Sequence, residues 1–219
     1  MYNGKAIRPR VRMALLSGPT PGCALPARFS AREHAEYGAL PPGRQSEWLA
    51  SRLALERAYR RLTGSPCRHA EVGHDATGRP RIAGDDRTHC SLAHSGGWGL
   101  GVVSPGPVGA DLETLGRYDE AFAARVANPG EIAEVARAGH PAHEAPTVLW
   151  TVKEAALKAT GHGLRIHPRH AVIGPRLGRS WLVCVRHPDG GTSRWRVHAF
   201  RSGGFVASVA VPAAFQARC

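Results

Sequence analysis

The ten residues "SGGWGLGVVS" beginning at Ser95 return about half a chain later as "SGGFVASVAV" at Ser202. In each copy a Gly-Gly turn leads into a valine-bearing apolar run, the pattern of a tight hairpin feeding a buried strand. Each copy closes a segment in which a helical pattern is followed by strand patterns. A repeat at this spacing in a chain of 219 residues predicts two similar units. The expected fold is α+β, two similar halves, with residues 1–107 forming the first and 108–219 the second.

The remaining elements fit that frame. After a loose basic extension, "MALLS" is a first strand; Ser17, Gly18 and Pro19 cut the apolar stretch too short for a signal peptide. "PPGRQSEWLASRLALERAYRRLTG" predicts a helix from about Gln45 to Leu62, stopped near Gly64 and Pro66. Its apolar stripe is Trp48, Leu55, Tyr59 and Leu62, and Arg52 falls inside the stripe. "GRPRI" reads as a turn into an edge strand, and Asp119 to Arg137 as helix interrupted by "NPGE", where Asn128 or Pro129 can start a new helix. "TVLWTVKEAALKATG" is a helix ending at Gly161 or Gly163, and three antiparallel strands follow.

"VGADLE", Val108 to Glu113, follows the first echo and reads as a buried strand, yet it carries two acids. Strand side chains alternate, so Asp111 and Glu113 share one face. At roughly 4 Å and an effective dielectric near 20 their repulsion is about 4 kcal/mol, so a proton, a basic side chain or a metal ion must compensate it. In "WTVKEAALK", Glu154 and Lys158 stand four apart on one helical face with Trp150, while Lys153 points elsewhere. Only three of the 29 basic residues are lysines, so two in this one helix mark it for a compact ammonium able to give up a proton. Two strand acids and a helix acid suit a magnesium ion that takes its remaining ligands from water and a phosphate. Arg52, Arg79 in "GRPRI" and His94 in "AHSGG" would hold the phosphates.

"GRPRI", "CSLAHSGGWGLGVVS", "PVGADLE" and "WTVKEAALKATGHGL", in that order, resemble the 4'-phosphopantetheinyl transferase family of the surfactin-synthetase-activator (Sfp) type. The resemblance runs from about Phe29 to Val211. It implies a pseudo-twofold monomer that binds coenzyme A between its halves. It also implies transfer of phosphopantetheine to a serine of an acidic acyl or peptidyl carrier protein, in polyketide, nonribosomal peptide or siderophore synthesis. Asp111, Glu113 and Glu154 match the family's magnesium ligands, for which manganese is a possible substitute. Lys158 matches the acid for the leaving phosphate, and Glu154 is the expected acceptor of the serine proton. Arg52, Arg79, His94 and Lys153 match positions that bind the coenzyme. Ala93 departs from the frequent serine before the histidine, and Ala110 and Leu112 from β-branched residues.

Composition narrows the rivals. A net charge of +12 calls for a polyanionic partner. Aromatic content of only 6% and the lack of any RNP, zinc-finger or helix-turn-helix signature argue against a basic nucleic-acid-binding module. A magnesium-dependent phosphoester hydrolase would share the site, but no histidine stands beside it to activate water. No apolar run is long enough to span a membrane, and five scattered cysteines without CxxC spacing point to a reduced, cytoplasmic context without structural zinc.

Overall fold

The computed structural model describes residues 11–64 and 69–213. Residues 1–10 of the basic extension and the helix stop at Pro66 lie outside them. The first half contains β1 (Arg12–Ser17), α1 (Ala31–Gly38), α2 (Pro42–Thr63), β2 (Val72–His74), β3 (Pro80–Ile82), β4 (Asp85–Ser95) and β5 (Trp98–Ser104). The second contains β6 (Gly109–Thr114), α3 (Glu120–Val126), α4 (Glu131–Arg137), α5 (Ala145–Thr160), β7 (Ala171–Leu177), β8 (Ser180–Arg186), β9 (Thr192–Ser202) and β10 (Phe205–Pro212).

Each half is one antiparallel five-stranded sheet, ordered β1-β5-β4-β3-β2 in the first and β6-β10-β9-β8-β7 in the second. The two orders superpose element for element: an edge strand, a long helix, then a four-stranded meander whose last strand returns to pair with the first. The repeated "SGG" segments are the β4–β5 and β9–β10 hairpins, at equivalent places in the two sheets. The fold is therefore α+β, built from two similar halves.

The layers follow from strand alternation. Ala93, Leu100 and Val102 of the first sheet pack against Ala110, Leu112, Ala207 and Val209 of the second, so the sheets meet through their inner faces. The outer face of the first sheet carries α2, with Leu55 and Ala58 against Ile82, Cys90 and Val103. The outer face of the second carries α5, whose Val148, Val152 and Ala156 join Trp181, Val183 and Val197. Gly109 lets β6 lie flush on α5, since a Cβ there would overlap the backbone of Ala155 and Ala159. Gly101 does the same for β5 against Leu55 of α2.

Several elements differ from expectation for local reasons. The long helix starts at Pro42 rather than near Gln45, because proline is tolerated in the first turn where its missing N–H has no intrahelical partner. The helix α1 was not anticipated, although Ser30 and Glu33 form a complete capping box at its start. The edges of the first sheet are β1 and β2, so the strand in "GRPRI", β3, lies inside β2 rather than at an edge. Gly130, at φ 83°, precedes α4 in place of Asn128 or Pro129.

Candidate functional site

On β6, Ala110 and Leu112 turn inward between the sheets, and Asp111 and Glu113 turn toward α5. The strand is an edge, and Ser91 and Ser95 of β4 reach across the halves to it. Ser91 Oγ accepts the Ala110 N–H at 2.9 Å, and Ser95 Oγ accepts the Thr114 N–H at 3.2 Å. Both acids are thus fixed at the seam, and both are under 10% exposed.

Basic and polar donors supply most of the compensation that two acids on one face require. Lys158 Nζ, from the last turn of α5, donates to Asp111 Oδ1 at 2.6 Å. Glu113 is held by four side chains. Ser95 Oγ and Arg117 Nη1 donate to its Oε2 at 3.1 and 3.0 Å, while Tyr118 OH and Trp150 Nε1 donate to its Oε1 at 2.9 and 3.2 Å. Glu154, one turn before Lys158, is 6% exposed. Its Oε1, like Asp111 Oδ2, is buried with no hydrogen-bond partner among the described residues.

The electrostatics reflect this shortfall. Burial pushes Asp111 up to about 6 against the pull of Lys158. Burial pushes Glu154 up to about 7, opposed by Lys158 and assisted by the charges of Asp111 and Glu113. Burial alone would lower Lys158, but the surrounding carboxylates outweigh it and hold its pKa above the ordinary value. Lys158 therefore carries its proton at neutral pH.

These residues suit a hard divalent cation in chemistry: the donors are carboxylate oxygens, two of them are buried and unpartnered, and the cluster is short of positive charge. Among the described residues no three metal-ligating side chains converge as a ready-made site. Lys158 occupies Asp111 Oδ1, and four donors occupy the two oxygens of Glu113. Asp111 and Glu154 are the acids with oxygens to spare.

Beside this cluster lies a cleft of about 230 Å³ between the halves. Arg79, Cys90, Ser91, Lys158, Gly161 and His162 line it, with Arg165 at its rim. Arg79 lays its guanidinium against Gly161, the left-handed residue that ends α5, where any Cβ would overlap it. Its Nε is buried without a partner among the described residues. Arg165 closes the same wall by donating to the carbonyl of Thr77 in the β2–β3 turn, and Nη2 also reaches the Gly161 carbonyl at 3.1 Å. Arg165, His162 and the serines of β4 were missed in the sequence. Their spacing carries no signal beyond the alternation of Ser91 and Ser95 along one strand face.

Three of the expected coenzyme-binding groups lie outside the residues that line this cleft. His94 stands on β4 with Nδ1 3.1 Å from Glu47 Oε2. Burial lowers its pKa, and Arg44 and Lys158 add to that against Glu47, so it is neutral at pH 7 instead of cationic. Arg52 does not line the cleft; it is 8% exposed and stacks 4.5 Å from the Trp48 ring. Lys153 is fully buried on the other side of α5, bonded to Glu131 Oε2 at 2.8 Å and to the carbonyls of Pro168 and Ala171 at 3.2 and 2.6 Å. It is a structural tie, because no face of it reaches solvent or the cleft.

Residues 107–210, from β6 through most of β10, match the model of the 4'-phosphopantetheinyl transferase superfamily. The second half is similar to the phosphopantetheinyl transferases. The chain is 34% identical over 116 residues to the 4'-phosphopantetheinyl transferase psf-1 of Bacillus pumilus, covering 52% of this chain and 49% of that protein. It is 37% identical over 81 residues to the holo-[acyl-carrier-protein] synthase of Geobacillus kaustophilus, covering 33% of this chain and 63% of the relative. Over 141 residues it is 30% identical to a 4'-phosphopantetheinyl transferase of Bacillus subtilis, covering 64% and 60%. The matched regions thus span between about half and just under two thirds of these relatives' own length.

Proposed function

We propose that this protein is a phosphopantetheinyl transferase of the surfactin-synthetase-activator type. It would move 4'-phosphopantetheine from coenzyme A to a serine of an acidic acyl or peptidyl carrier protein, as a cytoplasmic monomer serving polyketide, nonribosomal peptide or siderophore synthesis. The observation that carries this reading is Lys158, which lines the cleft walled by Arg79 and bonds Asp111 at 2.6 Å, within the electrostatic reach of Glu113 and Glu154.

In the reaction the serine Oγ bonds to the phosphorus bearing pantetheine. The bond from that phosphorus to the bridging oxygen breaks, and adenosine bisphosphate leaves. Lys158, held protonated by three carboxylates, donates a hydrogen bond to the phosphate oxygen on which charge develops. Glu154, raised toward neutrality by burial, is matched to take the serine proton at physiological pH. Arg79, with its unpartnered Nε, binds the pyrophosphate, and neutral His94 contributes a hydrogen-bonding nitrogen. Arg52 also keeps an unpartnered buried Nε, which a phosphate of the coenzyme would satisfy from the first half. Magnesium, held by Asp111 and Glu154 with Glu113 beside them, would supply charge neutralisation on the pyrophosphate.

The test is the intact mass of an apo carrier protein incubated with this protein, magnesium and coenzyme A. Gain of one phosphopantetheine, absent with Asp111→Ala or a chelator, is expected. Consumption of coenzyme A with no gain on any carrier would replace transfer by hydrolysis.

A further inference from the structure

Arg117 has no part in the sequence expectations, yet its guanidinium occupies one of the three acids assigned to the cation. Nη1 lies 3.0 Å from Glu113 Oε2 and 3.3 Å from Ser95 Oγ. The other three donors to Glu113 are neutral: a serine, a tyrosine and a tryptophan. They orient the carboxylate but leave its charge intact, so Arg117 is the cation that neutralises it. Apart from these contacts and a stacking approach of 5.6 Å to the Tyr118 ring, Arg117 faces solvent. Its side chain is 53% exposed, and it extends from the short loop between β6 and α3, four residues beyond the acid it holds.

We infer that Arg117 is a built-in competitor for the divalent cation: it holds Glu113 Oε2 in the cation-free protein and swings into solvent when the metal binds. The inference rests on the magnesium reading proposed above. Two cations cannot share one carboxylate oxygen at hydrogen-bond distance without strong mutual repulsion. The half-exposed guanidinium can be rehydrated at little cost, whereas the acids, each under 10% exposed, cannot move out with it. Lys158 differs, since it bonds Asp111 at 2.6 Å, is attracted also by Glu154 and Glu113, is only 29% exposed and remains in the site. Arg117 then sets the metal affinity by its departure and releases a positive charge beside the cleft, where anionic substrates arrive.

The consequence has a sign opposite to that of a supporting residue. Removing a competitor strengthens metal binding; removing a group that merely props Glu113 weakens it or leaves it unchanged. The experiment is direct titration with Mn2+, followed by electron paramagnetic resonance of the free ion, on wild type, Arg117→Gln, Arg117→Lys and Asp111→Asn in the absence of coenzyme A. An exposed ion pair of this kind supports a gain of about fivefold in Mn2+ affinity for Arg117→Gln. Arg117→Lys, which keeps the charge, is expected close to wild type. Equal or weaker binding by Arg117→Gln overturns the inference while the metal reading stands. If wild type binds no Mn2+ that Asp111→Asn abolishes, the metal reading itself fails and takes the inference with it.

Discussion

Truncating Lys153 gives the sharpest separation between a structural lysine and a coenzyme-binding one. The ammonium is fully buried and has three partners, Glu131 and the carbonyls of Pro168 and Ala171. Lys153→Ala leaves the Glu131 carboxylate, 3% exposed, without its counter-charge. Breaking one side of such a pair costs about 3–5 kcal/mol. With a urea m-value of about 2.5 kcal/mol/M for a chain of this size, the midpoint should fall by about 1.5 M. Glu131 also accepts N–H groups of Asn128 and Ile173 at 2.6 and 2.7 Å, so the damage should spread to the start of α4 and to β7. Lys153→Met combined with Glu131→Gln removes both charges and should cost less than Lys153→Ala alone. The assay is urea unfolding followed by circular dichroism, with coenzyme A affinity measured calorimetrically on the folded variants. A midpoint shift below about 0.3 M, coupled with a tenfold loss of coenzyme affinity, would refute the reasoning and return Lys153 to the binding site.

Other consequences follow from the same geometry. Asp111 and Glu154 hold their protons more tightly folded than unfolded, at about 6 and about 7. Their contribution to stability is therefore present in mild acid and lost as pH rises through those values; in thermal melts of the cation-free protein, Asp111→Asn with Glu154→Gln should flatten that decline. His69 bridges Glu33 of α1 and Glu56 of α2 at 2.7 and 2.6 Å. Burial works to lower its pKa, but the two carboxylates raise it above 6.5. The stability it adds is thus full below that value and lost as pH rises through the raised pKa, which a comparison of wild type with His69→Gln across pH would detect. Gly109→Ala forces β6 away from α5 and should cost about 1–3 kcal/mol by overpacking, read by chemical denaturation; an unchanged midpoint would mean that β6 does not lie flush on the helix.

The echo at Ser95 and Ser202 was legible because a hairpin followed by a buried strand leaves a local signature, and that signature recurs at equivalent positions in both sheets. The shared face of Asp111 and Glu113 was equally legible, since alternation along a strand needs no knowledge of its partners. What compensates those acids was not. Arg117 reaches Glu113 through a turn whose geometry the spacing does not encode, and Ser95 does so from the other half of the chain. Lys153 and Lys158 are five residues apart on one helix, and only the packing of α5 between sheet and loops sends one into the core and the other to the cleft. Arg52 matched a buried-face position correctly, but burial alone does not say which cavity a side chain enters; the Trp48 ring received it. The missed helix α1 carried its signal in Ser30 and Glu33.

The central claim is that the four charged groups at the seam between the halves carry out phosphopantetheine transfer. Its most direct test is the single-turnover rate of carrier-protein mass gain by Glu154→Gln at saturating coenzyme A, compared with wild type. Loss of a proton acceptor in the transition state should slow transfer by about 10²–10⁴-fold while coenzyme binding persists. A rate within a few-fold of wild type would contradict the account and remove Glu154, with its raised pKa, from the chemistry.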